Sequence, residues 1–552
     1  MNNILRKNKI YFTISIISSL FMAVATVLLS FALGYFYEIS SDGFNLSKSL
    51  YLSFGIIFIL ILGYKSSLFS KEVFIEKAVE SLKNKLFKSF MKMDSFSFNE
   101  YSDGEKISIL TNEVNTLRND YFENLTLLTG EIFSAFLTIA ALFLVNLKVA
   151  VFLIFTALLT FIVPKFFNKK LEKYQINLSN MQKEFSQSSK EYIDGYELAK
   201  SFKIENVFKD KFEIKNKNLY ISIMKSKKWL YLMYMVEIFL SGITFLLGMA
   251  FGIYLVLKNQ ITVGAVLTAV QLQNNLVSPM SNISEYIAII NSTKALRNKH
   301  DKIMNYKEVE NGIEKNNFEK SVKFNNVSFS YTDERYMENL NIEFLKNKKY
   351  AIIGLSGSGK STILNLLSKR IKVLSGEILI DDMNINEISD KSYFSILSKI
   401  DQEVFIFKGT IRENITLYKN YDEDKIISAM KKSGLESYID IKDSYQIEEK
   451  GKNLSGGEMQ RISIARALIR DSEIIVADEI FSALDNENTD KIEKTLLSLD
   501  KTLISVTHRI IIENLKNYDS IIVMNNGKVI FNGDFEELKL NKKIYNTFIG
   551  SN

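Results

Sequence analysis

The stretch GLSGSGKST, residues 354–362, stands between an apolar segment, KKYAIIG (348–354), and a segment with helical spacing, KSTILNLLSKR (360–370). Strand, glycine-rich loop and helix in this order are the context in which a G-x-x-x-x-G-K-[ST] pattern predicts a phosphate-binding loop. Glycines allow backbone N–H groups to surround phosphate oxygens, and the helix N-terminus adds favourable positive potential. We therefore expect Lys360 to reach the β- and γ-phosphates of a nucleotide and Ser361 to offer its hydroxyl to Mg²⁺.

Two further strand ends predict partners for this loop. In EIIVADEIFSALD (473–485), an apolar run typical of a buried strand is followed by Asp478 and Glu479. A carboxylate at that end can hold Mg²⁺, and the next one can orient or polarise an attacking water. In TLISVTH (502–508), a similar run ends in His508, whose imidazole could contact the γ-phosphate and the water. Without this context, an Asp-Glu pair is most often two solvent-exposed loop side chains, and a lone histidine more often has a structural role.

Composition excludes several other chemistries. The chain of 552 residues has no cysteine and only two histidines, which excludes disulfides, thiolate catalysis and multi-histidine metal centres. The net charge of +6 is better explained by the inner loops of a membrane protein than by a nucleic-acid surface. We therefore expect no nucleic-acid partner.

The first half of the chain predicts a helical membrane domain. A membrane helix needs about 20 largely apolar residues. Polar residues near the candidate spans, including Glu131, Glu237 and Gln273, either belong to a substrate path or hydrogen-bond one helix to another. The six candidate spans lie near residues 10–38, 50–70, 125–145, 149–167, 230–257 and 261–283.

The loops between these spans predict the orientation. The N-terminus and the stretches 71–124 and 165–228 are rich in lysine, whereas the other connections are short and nearly uncharged. Because positive charge stays inside, we expect the long loops and both termini to be cytoplasmic, in the plasma or inner membrane. The long loops keep helical spacing, so the spans should continue as helices with tips near 100–116 and 188–204, which contact the following domain.

Together these motifs resemble an ABC transporter half-molecule of the exporter architecture, in which six membrane helices are fused to one nucleotide-binding domain. The resemblance implies ATP and Mg²⁺ as cofactors, with GLSGSGKST as the Walker A motif and IIVADE as the Walker B motif. It implies Glu479, His508 and Gln402 as catalytic residues, and Ser361, Gln402 and Asp478 around the metal. It also implies SALD (482–485) as the D-loop. The implied nucleotide-binding residues are Tyr331, which stacks on adenine, Gly354, Ser356, Gly357, Ser358, Gly359, Lys360, Ser361, Thr362, Ser455, Gly456 and Gly457.

The second glycine-rich turn, NLSGGEMQR (453–461), resembles the signature motif of the same family. Ser455, Gly456 and Gly457 precede the helix EMQRISIARAL and make a second anion-binding helix N-terminus. In the family this turn caps the γ-phosphate held by the opposite subunit, which implies a head-to-tail, domain-swapped dimer. Many members have Gln where this chain has Glu458, a difference from which we expect little consequence.

These inferences predict an α-helical membrane domain (1–300), a linker (301–320) and an α/β P-loop ATPase domain (321–552). The expected function is ATP-driven export of a lipid, an amphiphilic drug-like compound or a peptide by alternating access. The alternatives are an importer of the same architecture and an ATP-gated channel or regulatory subunit, against which intact Glu479 and His508 argue. A soluble signature-bearing ATPase conflicts with the membrane spans. A homodimer is favoured over a heterodimer because every motif is intact.

Overall fold

The computed structural model describes residues 1–42, 46–306, 312–330, 337–481, 486–507 and 511–549. The chain forms two compact units. Unit 1 comprises Met1–Met91 and Asp103–Asn305, and unit 2 comprises Lys92–Ser102 and Tyr306–Asn552. The short segment Lys92–Ser102 thus belongs with the C-terminal part of the chain, although it lies between two long helices in sequence.

Unit 1 is entirely helical within its described residues. Its helices are α1 (Asn2–Lys7), α2 (Lys9–Asp42), α3 (Leu46–Phe90), α5 (Asp103–Ser108), α6 (Val114–Thr116), α7 (Asn124–Val145), α8 (Leu147–Asp194), α9 (Tyr196–Phe202), α10 (Glu205–Leu257), α11 (Val263–Ser292) and α12 (Lys294–Met304), and α4 (Ser95–Asn99) belongs to unit 2. Two π-helical segments, Ile109–Glu113 and Leu117–Glu123, flank α6. Because α5, α6 and α7 follow one another through them, residues 103–145 form one long rod.

The six long helices predicted from the sequence are α2, α3, the rod ending in α7, α8, α10 and α11. In the part of the chain described, four helices are long and apolar enough to cross a membrane: Lys9–Glu38, Ser49–Phe90, Asp103–Val145 and Glu205–Leu257. In α8 the apolar stretch that qualifies is shorter, Leu147–Leu158, because the side chains of 159–165 lie outside the described residues. Helix α11 carries four amide side chains between 271 and 275, which lower its hydropathy.

The core of the helical unit is built where α7, α8, α10 and α11 meet. Leu142, Leu153, Leu255 and Leu272 are buried together there. Small residues permit close approach of helix backbones in apolar surroundings. Gly248 of α10 illustrates this, since a Cβ at this position would lie 2.5 Å from Oε1 of Gln273.

Unit 2 is an α/β domain. Its strands are β1 (Ser321–Phe329), β2 (Met337–Leu345), β3 (Lys349–Gly354), β4 (Ser375–Ile380), β5 (Met383–Asn384), β6 (Leu397–Ile400), β7 (Gly409–Thr410), β8 (Gln446–Ile447), β9 (Ile474–Asp478), β10 (Thr502–Val506), β11 (Ser520–Asn525) and β12 (Lys528–Gly533). Its remaining helices are α13 (Lys360–Leu367), α14 (Asp390–Ile396), α15 (Ile411–Thr416), α16 (Glu423–Lys432), α17 (Gly456–Arg470), α18 (Asn486–Ser498), α19 (Ile512–Leu515), α20 (Phe535–Leu540) and α21 (Lys542–Phe548).

A six-stranded sheet with the order β12-β11-β3-β10-β9-β6 organises this unit. Strands β11, β3, β10, β9 and β6 are parallel, and β12 is antiparallel to β11. An antiparallel sheet with the order β2-β1-β4-β5 packs its apolar face into the same core through Phe324, Phe344 and Ile380. The central strands β9 and β10 are buried throughout, as expected for a parallel sheet covered on both faces.

The connection between α3 and the next long helix contains the short helix α4. Asp94 caps this helix, because its carboxylate accepts a hydrogen bond from the backbone N–H of Ser97. Within unit 2, Nζ of Lys372 lies 4.2 Å from the centre of the Phe96 ring, and the hydroxyl of Tyr306 donates to Asp94 over 2.9 Å. The first tip was predicted near 100–116 and actually spans 91–102. Residues 103–116 continue the helical rod. Because apolar residues recur at helical spacing through this stretch, the sequence does not indicate where the chain reverses.

Candidate active site

Parallel strands bring four loops to one edge of the six-stranded sheet. The register pairs Val506 of β10 with both Asp478 of β9 and Ile352 of β3, so these strands end at the same level. The loops after β3, β6, β9 and β10 therefore start side by side. Ligands in open α/β sheets bind at this carboxyl edge, and most of the predicted site residues within the described part of the chain lie there.

The phosphate loop follows β3 directly. Gly354 ends the strand, Ser356, Gly357, Ser358 and Gly359 form the loop, and Lys360, Ser361 and Thr362 make the first turn of α13. Gly357 and Gly359 have φ angles of +78° and +104°, which only glycine adopts without strain. Ser358 is buried, and its Oγ has no hydrogen-bond partner within the described residues, so the loop presents a hydroxyl that a phosphate oxygen would satisfy.

Lys360 is 4% exposed. Its Nζ donates to the carbonyl oxygens of Gly354 and Leu355 over 2.9 and 3.0 Å, which holds the ammonium group within the loop. Burial lowers the pKa of Lys360, and the nearby carboxylates of Glu479 and Asp478 oppose that shift. The ammonium group is thus poised to exchange two carbonyl oxygens for phosphate oxygens, which are stronger acceptors because they are charged.

Ser361 and Asp478 are neighbours across the ends of α13 and β9. Oγ of Ser361 donates a 3.1 Å hydrogen bond to Oδ1 of Asp478. Burial raises the pKa of Asp478, against the opposing effects of Lys399 and of the Ser361 hydroxyl. Paired hydroxyl and carboxylate oxygens are the ligand type that Mg²⁺ prefers, completed by water and substrate phosphates. The residues present therefore fit a Mg²⁺ ion.

Glu479 and Gln402 come together at the same edge. Nε2 of Gln402, just beyond β6, donates to Oε2 of Glu479 over 2.9 Å. Glu479 has φ +48°, a left-handed conformation that is rare for a residue with a side chain and clusters at functional sites. Its backbone N–H donates to the carbonyl of Val506 over 3.0 Å, which fixes this turn against the end of β10.

Three predicted elements lie outside the described residues: Tyr331, the D-loop 482–485 and His508. Their chain neighbours are described, and Thr507 donates its N–H to the carbonyl of Ile352 over 3.3 Å. The segment that leads to His508 therefore starts beside β3, next to the phosphate loop.

The signature turn begins a separate helix. Ser455 is the N-cap of α17, and it forms a capping box with Glu458 in which each side chain accepts a hydrogen bond from the other residue's backbone N–H, over 3.2 and 2.7 Å. Ser455 and Gly456 are exposed, and Gly457 follows in the first turn. The N-terminus of this 15-residue helix is suited to hold an anion.

Glu458 has a role that the sequence did not predict. Oε1 of Glu458 accepts a 2.5 Å hydrogen bond from the hydroxyl of Tyr438, and Oε2 accepts one of 2.8 Å from Oγ of Ser455. Burial raises the pKa of Glu458, but the bonds from Tyr438 and Ser455 outweigh burial and the pKa lies below its usual value. Burial and this carboxylate raise the pKa of Tyr438 to about 12. The carboxylate thus fixes the Ser455 hydroxyl.

Two networks behind the site were also missed. Asp401, next to Gln402, binds Lys399 over 3.0 Å and Arg370 over 2.7 Å. Farther along the same loop, Arg466 of α17 donates to the carbonyl oxygens of Asn414 and Phe405, over 2.6 and 2.7 Å. These bonds connect the loop that carries Gln402 to the helix that carries the signature turn. Neither network has a sequence signal, because Arg370 is 31 residues from Asp401, and Arg466 is 52 and 61 residues from Asn414 and Phe405.

Comparison with known proteins agrees with this geometry. The family described as "ABC transporter transmembrane region" matches residues 10–280, and the family described as "ABC transporter" matches residues 337–482. The chain therefore belongs to the ABC transporter family, as a half-molecule of the exporter architecture in which a helical membrane unit and one ATPase unit share a chain. The resemblance inferred from the motifs is confirmed.

Individual relatives are distant but cover most of the chain. An ATP-dependent lipid A-core flippase of Syntrophus aciditrophicus is 27% identical over 84% of this chain and 78% of its own length. The putative multidrug export ATP-binding/permease protein YgaD of Bacillus subtilis is 27% identical over 84% and 81%. The lactococcin-G-processing and transport protein LagD of Lactococcus lactis is 30% identical over 72% of this chain and 58% of its own length.

A solved structure shows the same fold. The structure of a bacterial Atm1-family ABC exporter with ATP bound superposes with a TM-score of 0.81 and covers 99% of this chain and 98% of its own. At 21% identity the likeness extends to the fold, and it confirms the predicted combination of a helical membrane unit with an α/β ATPase unit.

Proposed function

We propose that this chain is one subunit of a dimeric exporter that couples ATP hydrolysis to movement of a lipid, an amphiphilic drug-like compound or a peptide across the membrane. The observation that carries the proposal is the convergence of Lys360, Ser361, Asp478, Gln402 and Glu479 at one sheet edge, in a chain whose other unit contains membrane-length helices. The names of the lipid flippase, multidrug and lactococcin relatives supply the three substrate classes.

Each residue has a distinct part in hydrolysis. Lys360 exchanges its two carbonyl acceptors for the β- and γ-phosphates of ATP, and Ser361 and Asp478 hold Mg²⁺ with Gln402 beside them. Mg²⁺ neutralises phosphate charge when bound. Glu479 accepts a proton from, or orients, the attacking water, and Gln402 fixes its carboxylate. We assign His508 to the γ-phosphate and Tyr331 to the adenine ring on the strength of their sequence motifs.

The partner is a second half-transporter, with a homodimer favoured and a heterodimer as the alternative. In the dimer, Ser455, Gly456 and Gly457 of one subunit cap the γ-phosphate held by the phosphate loop of the other. The exposed N-terminus of α17 supports this arrangement, because the first turn of a helix favours an anion. The Ser455 hydroxyl, which donates to Glu458, would turn from that carboxylate to donate to the phosphate.

Exposed apolar surfaces support a swapped arrangement of the subunits. In unit 1, α9 exposes Leu198 and Phe202, at 57% and 70%. In unit 2, the loop after Gln402 exposes Phe405, at 63%, which packs edge-on against Phe407. Clustered exposed apolar residues mark interaction surfaces, and we assign these two to each other across the dimer.

ATP drives transport because it binds two states of the dimer with different affinity. ATP shifts the subunits towards the closed dimer only to the extent that it binds that state more tightly. Closure then reorients the membrane helices, and hydrolysis resets them. With basic loops inside, the ATPase unit and both termini are assigned to the cytoplasm. We assign an outward direction of transport from the export proteins among the relatives.

The test is ATP hydrolysis by the chain expressed alone and reconstituted in lipid, with Glu479→Gln and Glu536→Gln compared. Glu536 is an exposed carboxylate of α20 and serves as the matched control. We expect cooperative turnover that Glu479→Gln reduces by at least about 100-fold, with ATP binding retained, and that Glu536→Gln leaves unchanged. Candidate lipids, amphiphiles and peptides are then compared by stimulation of hydrolysis and by ATP-dependent movement across vesicles.

A well-folded preparation that binds ATP but does not hydrolyse it would contradict the self-sufficient homodimer. Two results together would contradict coupled export and favour gating or regulation: no candidate substrate stimulates ATP hydrolysis, and none moves across the vesicle membrane when ATP is hydrolysed.

A further inference from the structure

The single tryptophan of the chain lies in a polar and aromatic cluster between two helices of unit 1. Trp229 of α10 faces α8, where its ring stacks near Tyr174 at 6.3 Å between centres and lies 6.5 Å from Phe167. Nζ of Lys170 sits 4.0 Å from the centre of the same ring, a cation–π contact. The contact places a basic group directly on an amphipathic aromatic ring.

The packing of α8 against α10 fixes which residues share this level. Oγ of Ser226 donates to Oε1 of Gln175 over 3.3 Å, and Nδ2 of Asn177 donates to Oγ of Ser222 over 3.4 Å. Residues within four positions of Trp229 or Tyr174 lie within about 6 Å of the cluster along the helix axis. Five exposed lysines meet this condition. Lys227, two residues before Trp229, points to the opposite side of α10, which leaves four at the cluster: Lys170, Lys173, Lys225 and Lys228.

Positive charge at this level is almost uncompensated. Glu172 is the one acidic residue between positions 166 and 183, and none occurs between 214 and 236. Glu172 is two residues from Tyr174, so it points to another side of α8. In the part of the chain that the structure describes, none of the four lysines forms an ion pair.

The cluster stands at the boundary of the apolar stretches. On α10 the membrane-length apolar run begins immediately after Trp229, and on α8 the sequence changes from apolar to basic between 158 and 173. Tryptophan and tyrosine are enriched where the hydrocarbon meets the headgroups, and lysine stems cover apolar surface while their ammonium groups reach that layer. This combination of residues fits the level of the lipid phosphates.

We propose that Trp229 and the lysines around it form a binding site for the phosphate headgroup of an anionic phospholipid. The acyl chains lie against the apolar parts of α8 and α10, and Lys170, Lys173, Lys225 and Lys228 surround the headgroup. With the orientation proposed above, the lipid belongs to the cytoplasmic leaflet. Basic pockets between membrane helices on that side select anionic headgroups over zwitterionic ones.

Because the chain contains one tryptophan, its fluorescence reports on this cluster alone. The full-length protein is placed in nanodiscs of mixed phosphatidylcholine and phosphatidylglycerol in equal proportions. In one series the phosphatidylglycerol carries dibrominated acyl chains, and in the other the phosphatidylcholine does. We expect brominated phosphatidylglycerol to quench Trp229 more strongly, because it is enriched at the site. The ratio of the two signals cancels any change in intrinsic fluorescence.

Two double variants make the test specific. Lys170→Gln with Lys225→Gln should reduce the preference for phosphatidylglycerol by about fivefold or more, since a lysine near an anionic surface contributes about this factor. The control variant, Lys169→Gln with Lys227→Gln, removes the same total charge. Lys169 is two residues from Phe167 and Lys227 is two residues from Trp229, so each lies on the opposite face of its helix from the cluster. This control should keep the preference.

Three results would overturn the proposal. Equal quenching by the two brominated lipids would show no headgroup selection. An equal loss in both double variants would show general surface charge rather than a site. Loss of the preference when inorganic phosphate is added would show a site for free phosphate, and an unchanged preference supports the lipid. None of these readouts depends on ATP hydrolysis or transport, so they stand apart from the test of the proposed function.

Discussion

Gln402 donates a hydrogen bond from Nε2 to Oε2 of Glu479, over 2.9 Å, between loops that follow neighbouring strands. The amide thus holds the carboxylate that we assign to the attacking water. Gln402 also begins the loop that ends at the exposed Phe405 surface, so the same residue contacts the hydrolytic site and leads to the surface that we assign to the partner subunit.

Replacement of Gln402 should separate positioning from charge. Gln402→Ala removes the donor and should lower turnover about 10-fold or more, whereas Gln402→Glu adds a second carboxylate beside Glu479 and should lower it further. Because the new carboxylate repels less when protonated, the Gln402→Glu variant should recover part of its activity as the pH falls from 8 to 6. The measurement is the pH profile of ATP hydrolysis. Equal activity of both variants at every pH would contradict the contact.

Arg466 should be important for the stability of unit 2. Burial lowers the pKa of its guanidinium to about 10, and Asn414 and Phe405 accept its hydrogen bonds. Arg466→Lys cannot reproduce this fork and should lower the free energy of unfolding by about 2 kcal/mol. Arg412→Lys, whose guanidinium pairs with exposed Asp443 and Glu423, should cost less than about 1 kcal/mol. Thermal unfolding of the purified chain, with ATP binding as a second readout, compares the two.

Gly248 should be intolerant of any side chain. A Cβ there would meet Oε1 of Gln273 at 2.5 Å and Cδ2 of Leu153 at 2.8 Å, whereas a Cβ at Gly242 of the same helix meets nothing within 4 Å. Gly248→Ala should destabilise the helical unit by about 1–3 kcal/mol, and Gly242→Ala should be neutral or slightly stabilising. Temperature-dependent loss of the monodisperse protein in detergent measures both variants. Equal behaviour of the two would refute the packing described for α10 and α11.

His300 should make α12 sensitive to acid. Its ring is fully buried, and Nε2 lies 2.9 Å from Oε2 of Glu113. Burial lowers the pKa of His300, although Glu113 and Asp301 oppose that shift and Lys299 adds to it. Since the unfolded chain binds the proton more readily, stability should be lost as the pH falls below the ordinary value of about 6.5. Hydrogen exchange of Lys294–Met304 should therefore accelerate between pH 7.5 and 5.5 beyond the intrinsic pH effect, and His300→Gln should remove this excess.

The sequence predicted local features well where one short segment contains the whole signal. The phosphate loop, the strand that ends at Asp478 and the six long helices are of this kind, because spacing and glycine content are local properties. Features that join distant segments were not predictable. The hydrogen bond from Tyr438 to Glu458 joins residues 20 positions apart. From the sequence we expected little consequence of Glu458, whereas in the structure its carboxylate fixes the signature serine. The first helix tip was misplaced because helical spacing continues through the π-helical segments beyond the real reversal at 91–102.

The central claim is that one phosphate loop and the signature turn of the other subunit make each ATP site. Its most direct measurement mixes two inactive chains, Lys360→Ala and Ser455→Ala, and compares the ATP hydrolysis of the co-assembled mixture with that of each variant alone. A head-to-tail dimer of the two variants contains one site with both defects and one intact site. Up to about a quarter of the unaltered activity should therefore return, since about half of randomly formed dimers are mixed. Activity no greater than that of the separate variants would contradict the shared site.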